Sequence, residues 1–323
     1  MAWVGIDVSQ ANLDVALMAE SGQVQTLQVD NTSAGYARLD GWLRKRGAGR
    51  SAVTLEATGR YSAGVAQALY EAGYRVSVVN PARIKGYATA QLRRNKTDKL
   101  DACLIADFCR TQQPQAWQPA PEHVTHLQAL VRHLAVLEAA KQAVDNRLRE
   151  RAALPALVVE QLQHQRDLLK DQIQQLKRAI QGHIDQHPDL KQPRDLMASI
   201  PGIGRLTAAK LLAECRPLTD FDDVRQLVAF AGLNPAHHQS GSSIRKKTVI
   251  SKTGNSAIRA ALYMPAVVAK RCNPVLRPFA QRLLDRGLCQ MAVIAAVMRK
   301  LLHLVYGVLK SGKPFDPNFA LAS

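Results

Sequence analysis

The sequence predicts an α/β domain followed by an all-helical remainder, and three observations carry that prediction. The first third of the 323 residues alternates strand-period and helix-period patterns. Residues 122–187 are rich in Leu, Gln and Arg, with apolar positions recurring every three to four residues. Beyond residue 189 the chain reads as helices separated by Gly-containing turns.

In the first region, residues 2–8 read as a strand, and 13–18 as a second with Leu13, Val15 and Leu17 on one face. The turn E-S-G-Q leads to a third strand near 24–29. N-T-S caps a helix over about 34–46, and S-A-V-T-L-E is a fourth strand. A helix closed by Gly73 and a strand closed by Pro81 follow, then a helix over 97–111 with Thr97 as its N-cap. Three strands joined by hairpins, then helix, strand, helix, strand, helix, is the order of a ribonuclease-H-like mixed sheet. In that fold the first and fourth strands lie side by side.

The helical middle breaks at Pro155. From there a heptad register places Val159, Arg166, Ile173 and Ile180 at one core position and Leu162, Leu169, Leu176 and His183 at the other. The pattern reads as a coiled coil or helical hairpin, and as a self-association element that buries its seam against a partner. In the last region S-I-P-G-I-G-R-L-T-A-A-K has the form of a helix-hairpin-helix. Its Gly202 and Gly204 would free backbone N–H groups for a DNA phosphate. The same stretch is equally a plain Gly-rich connection, and the net charge tips the reading toward phosphate. Three helices over about 220–231, 255–271 and 274–310 follow, the last with a break near Gly287.

Forty-three Lys and Arg against 26 Asp and Glu leave a net charge of +17, which calls for a polyanionic partner, most often nucleic acid. The five cysteines show no C-x-x-C spacing, which argues against a zinc ribbon or disulfide framework and suits a reducing cytoplasm. The N-terminus has no signal-peptide pattern, and the apolar run 291–298 is too short to span a bilayer and ends at Arg299-Lys300. A soluble cytoplasmic protein with no membrane partner is expected.

Asp7 falls on the first strand, Glu56 at the end of the fourth, and Asp98 and Asp101 on the helix after them. Asp98, Asp101 and Ile105 share a stripe that faces the sheet. Four carboxylates in one place need cations to stay ionised together, and hard oxygen donors suit Mg²⁺, with Mn²⁺ as a substitute. Arg93, Arg94 and Lys96 would hold a phosphate backbone beside them. Each acid alone reads equally as a helix cap or surface charge; the set of four does not. Ser240 lies in S-G-S-S, followed by Arg245, Lys246 and Lys247. A hydroxyl in such a place can attack phosphate, although from the residues alone the stretch reads as a flexible loop. His237 and His238 read as exposed, and His183 and His187 as a surface pair rather than metal ligands.

Taken in order, G-I-D-V-S, L-E-A-T-G-R-Y, V-V-N-P-A, R-N-K-T-D-K-L-D-A, S-I-P-G-I-G, F-A-G-L-N-P, Q-S-G-S-S-I-R and A-L-Y-M-P-A resemble the DEDD transposases of the insertion sequence one-ten family. The resemblance implies a RuvC-like domain over 1–120, a coiled-coil dimerisation region over 121–188 and a transposase domain over 189–323. It also implies that Asp7, Glu56, Asp98 and Asp101 bind Mg²⁺ and that Ser240 is a catalytic serine forming a covalent phosphoserine link to DNA. A structured non-coding guide RNA that pairs with donor and target DNA, and a dimer assembling into a tetramer, come with the family. The histidines before Ser240 receive no role. Two rival readings stand beside it. One is a metal-dependent nuclease or Holliday-junction resolvase without serine chemistry; the other is a non-catalytic DNA-binding protein.

Overall fold

The computed structural model describes residues 2–57, 59, 61–91, 98–215, 221–236, 239–240, 244–245 and 249–318. The side chains of residues 98, 99, 151, 236, 239, 240, 244, 245 and 249 lie outside that description. Two compact units, Met1–Ala120 and Pro121–Ser323, make up the chain.

The first unit opens with a meander of β1 (Ala2–Val8), β2 (Asn12–Ala19) and β3 (Val24–Asp30). Gly22, at φ +84°, supplies the left-handed residue in the β2–β3 turn. Helix α1 (Ser33–Arg44) starts at Thr32, whose hydroxyl accepts from the Gly35 amide. Then come β4 (Ala52–Glu56), α2 (Tyr61–Glu71) and β5 (Arg75–Val79). The sheet order is β3-β2-β1-β4-β5, with β4 parallel to both β1 and β5. The expected ribonuclease-H-like topology, with the first and fourth strands adjacent, is therefore present.

Alternation along the strands splits the sheet into two differently built faces. Val4, Ile6, Val8, Leu13, Val15 and Leu17 point to one side and share a core with Leu39 and Leu43 of α1 and Val65 and Leu69 of α2. Burying each such side chain contributes about 2 kcal/mol. The other face carries small and polar residues, Gly5 and Ala16 among them, and is covered by α4 (Asp98–Gln112). Between β5 and α4 lies α3 (Pro81–Ala90), a helix not expected from the sequence, which closes the strand at Pro81 and places the next helix at 97–111. Its start is nonetheless encoded: Asn80 accepts from the Ala82 amide at 2.8 Å, and Pro81 takes the first helical position.

The second unit begins with two long antiparallel helices, α5 (Glu122–Arg149) and α6 (Ala156–Asp185). The heptad seam of α6 is filled from within the same chain. Leu162 and Leu169 pack with Val144, and Ile173, Ile180 and Ile184 with Leu127, Val131 and Leu134. Helix α7 (Pro188–Ala198) and α8 (Arg205–Glu214) follow, and Ala209 and Ala213 of α8 join that same core. The Glu214 carboxylate, with its side chain only 5% exposed, is satisfied by Arg132 of α5 at 2.9 and 3.2 Å.

His183 and His187 are not the surface pair the sequence reading made them. Both are half-buried; the His187 ring stacks on His123 with centroids 4.8 Å apart, and His183 bonds the His123 carbonyl. Their neighbours explain this, because α5 supplies His123 and His126 to the same end of the hairpin. The unit closes with α9 (Val224–Phe230), α10 (Ser256–Cys272), α11 (Leu276–Asp285) and α12 (Gln290–Ser311) around a second core. By length and composition α12 is apolar enough to cross a membrane, yet Val293, Val297, Leu301, Leu302 and Val305 are buried in that core.

Candidate active site

The acids gather because of strand register. β1 and β4 run parallel, with Gly5 beside Thr54 and Ile6 beside Leu55. The next step in that register sets Asp7 beside Glu56 at the carboxyl ends of both strands. Asp7 shares its face with Gly5 and Glu56 with Thr54, the face that α4 covers. Both acids are half-buried.

The direction of α4 does the rest. A Cβ on Gly5 would overlap the Ala106 amide nitrogen and the Ala102 carbonyl oxygen, so α4 rests its backbone on β1 at that glycine. Farther along, Cys109 donates to the carbonyl of Ala52, the first residue of β4, at 3.6 Å. Helix α4 therefore runs antiparallel to β1 and β4. Its first turn, which carries Asp98 and Asp101, overhangs the strand ends that carry Asp7 and Glu56. The structure thus places all four acids, by backbone position, at the carboxyl ends of the inner strands β1 and β4.

Asp101 is half-buried, and the Asp98 side chain lies outside the described residues. Among the described residues no three His, Cys, Asp or Glu side chains are grouped closely enough to hold a metal ion. As a donor set, Asp7, Glu56 and Asp101 offer only hard oxygens, and the helix start beside them contributes N–H dipoles that favour negative charge. By the chemistry of their donors alone, these residues would suit a divalent cation. Arg93, Arg94 and Lys96 lie outside the described residues.

One acid that the sequence reading passed over stands in the same row. Asp14 of β2 pairs directly with Asp7 across the antiparallel ladder, and Gln28 of β3 pairs with Asp14. Asp14 is buried, at 6% exposure, and the Gln28 side-chain amide donates to both of its oxygens at 3.1 and 3.2 Å.

In the second unit the backbone around Ser240 is more ordered than the loop expected from its composition. Strand β6 (Pro235–Ala236) pairs antiparallel with β9 (Val249–Ile250), and β7 (Gln239–Ser240) with β8 (Ile244–Arg245). Ser240 faces Ile244 in that register. Its side chain and that of Arg245, together with residues 237–238 and 246–248, lie outside the described residues.

The helix-hairpin-helix expectation corresponds to α7, the turn 199–204 and α8. Gly204 caps α8 without any side-chain bond to its first amides. Gly202 answers to a different constraint. Its φ is +107°, and a Cβ there would lie 2.6 Å from the Ala269 Cβ of α10. Glycine is thus required by backbone conformation and by close packing. Gly202→Ala is expected to destabilise the second unit by about 3 kcal/mol, read as a lower midpoint in urea. An unchanged midpoint would show that the turn relaxes freely.

Comparison with known proteins places this geometry in a family. Residues 4–157 match a DEDD model of the IS110 type described as "Transposase", and residues 194–281 match "Transposase IS116/IS110/IS902 family". The "Pilin gene-inverting protein" of Moraxella bovis is 33% identical over 320 residues, covering 97% of both chains. Its namesake in Moraxella lacunata is likewise 33% identical over 320 residues, with the same coverage. Among solved structures, the Thermus thermophilus RuvC chain is 17% identical, with a TM-score of 0.28, over 36% of this chain and 100% of its own. The first family model spans the acid-bearing sheet, α4 and α5, the second runs from the end of α7 into α11, and the chain belongs to the IS110 family of transposases, enzymes that cut and rejoin DNA.

Proposed function

We propose that this chain is an RNA-guided DNA recombinase that cuts through Ser240 with the help of divalent cations held by Asp7, Glu56, Asp98 and Asp101. The observation that carries the reading is the overhang of the α4 start above Asp7 and Glu56, fixed by the contact of Gly5 with Ala102 and Ala106. Mg²⁺, or Mn²⁺ in its place, would supply charge neutralisation at the scissile phosphate and polarise the attacking and leaving oxygens.

The chain's own residues do the remaining work. Ser240 Oγ forms an ester bond to phosphorus as a P–O bond to deoxyribose breaks. The serine proton passes to solvent, and the departing sugar oxygen takes one up. Attack on that ester by the hydroxyl of a second strand reverses the step and restores the serine. One phosphodiester is exchanged for another, so no nucleotide cofactor is consumed. The relatives named for inverting a pilin gene support rejoining over simple cleavage. Arg93, Arg94, Lys96, Arg245, Lys246 and Lys247 hold phosphates, and Gly202 and Gly204 open the amides of α8 to one more.

Donor and target DNA and a structured guide RNA are the partners, and the net charge of +17 supports all three. Base pairing with the RNA, rather than side chains, selects the sites, as in other guided systems. The working form is a dimer that pairs into a tetramer in the cytoplasm.

The test follows protein joined covalently to DNA. Purified protein is incubated with Mg²⁺, end-labelled donor-junction and target DNA, and RNA transcribed from the flanks of the element, then run on a denaturing gel. A protein–DNA band is expected for the wild type and for neither Ser240→Ala nor Asp98→Ala. Cleavage without an adduct, unchanged in Ser240→Ala, would leave a RuvC-type nuclease instead.

A further inference from the structure

The row of polar residues across the first sheet extends beyond the four family acids. Pairing registers set Gln28 beside Asp14, Asp14 beside Asp7, and Asp7 one step from the paired residues Ile6 and Leu55, beside Glu56. Directly opposed residues of neighbouring strands have Cβ atoms about 5 Å apart on the same face. Asp14 is thus the strand neighbour of Asp7 on one side, as Glu56 is on the other.

Asp14 is a costly choice if its only task is to fill space. A buried carboxylate loses its hydration, and a second one beside it adds repulsion. Asparagine would have the same shape and could still bond Gln28 without the charge. Gln28 compensates only in part, because a single amide group is shared between the two carboxylate oxygens at 3.1 and 3.2 Å. That shared contact does fix the plane of the Asp14 carboxylate. The rest of the face is small, with Ala16 two residues along β2 packed on Ala102 and Ala106, and among the described residues Gln28 is the one side chain that donates to Asp14. A cation held at Asp7 would offset the charge of both strand neighbours.

We infer that Asp14, oriented by Gln28, is a positioning residue for the cation site, acting through Asp7 rather than as one of the four ligands. This rests on the proposed role of Asp7 as a ligand. Residues that orient metal ligands typically contribute ten- to a hundredfold in metal affinity.

Metal binding, not turnover, is the readout. Mn²⁺ is titrated into the full chain without nucleic acid, and free Mn²⁺ is followed by its electron paramagnetic resonance signal. Wild type, Asp7→Asn, Asp14→Asn and Gln28→Met are compared, with thermal melting in EDTA as the check on folding. Asp14→Asn is expected to weaken Mn²⁺ binding by about tenfold or more, and Gln28→Met by a smaller factor, with melting without metal unchanged or raised for Asp14→Asn. Mn²⁺ affinity equal to wild type in Asp14→Asn, while Asp7→Asn loses it, overturns the role of Asp14 and leaves the four-acid site standing. Affinity unaltered even in Asp7→Asn overturns both. Should Asp14→Asn fail to fold, Gln28→Met decides alone, because unchanged Mn²⁺ affinity there removes the orienting contact from the argument.

Discussion

Replacing Gly5 with valine is expected to lower the stability of the first unit by about 3 kcal/mol and to cut DNA cleavage by roughly a hundredfold in protein that remains folded. The reason is local. A Cβ at this position would overlap backbone atoms of Ala102 and Ala106 rather than a movable side chain. Helix α4 then has to lift off β1, and its first turn is the one that carries Asp98 and Asp101. A shift of about 1 Å in catalytic groups typically costs two orders of magnitude in rate. Gly5→Ala should show the same signs with smaller amplitude. Melting followed by circular dichroism, with cleavage of the same donor-junction DNA, checks both parts. A valine variant that melts and cleaves like wild type would mean that α4 does not depend on β1 for its position.

Gly5 also shows what the sequence made legible and what it hid. Five strands could be read from alternation, because Leu13, Val15 and Leu17, like Val4, Ile6 and Val8, mark one buried face. That pattern places Asp7 and Asp14 on the opposite face but says nothing about which strand lies beside which. Register across strands is set by turn lengths and tertiary packing, so the direct pairing of Asp7 with Asp14 emerges only in three dimensions. The four acids of the proposed site stand out through the ribonuclease-H-like order and the family motifs. Asp14 sits in an ordinary-looking strand and offered no motif.

Elsewhere the gaps have similar causes. The heptad positions of α6 were readable, but not the identity of the partner that fills them. A hairpin partner within the chain and a second copy present the same pattern to a sequence reader. Helix α3 was missed because Pro81 was taken as the end of a strand, although Asn80 followed by proline equally opens a helix. His183 and His187 read as surface because their neighbours, His123 and His126, are some sixty residues away in sequence. Composition made the stretch around Ser240 look like a loop, whereas short paired strands bring its backbone to a defined rung. Pairings of two residues each are too brief to leave a period-two signal.

The charge at Asp7 allows binding and chemistry to be separated. Asp7→Asn keeps the volume and most of the hydrogen-bonding capacity of the residue and removes one negative charge. If Asp7 holds a cation at the scissile phosphate, its loss should cost roughly 4 kcal/mol of transition-state stabilisation, about a thousandfold in cleavage rate. Binding should move the other way. In EDTA the wild type presents metal-free carboxylates to a polyanion, and removing one negative charge reduces repulsion, so the variant should hold DNA as tightly as wild type or more so. Fluorescence anisotropy of labelled donor-junction DNA in EDTA reads binding, and gel-resolved cleavage in Mg²⁺ reads the rate. Loss of both binding and cleavage would assign Asp7 to the folding of the sheet. Cleavage at the wild-type rate would remove it from the reaction. Tighter binding joined to lost cleavage would mark a residue that costs the enzyme affinity for its substrate, a cost understandable only if a cation is placed there before the phosphate arrives.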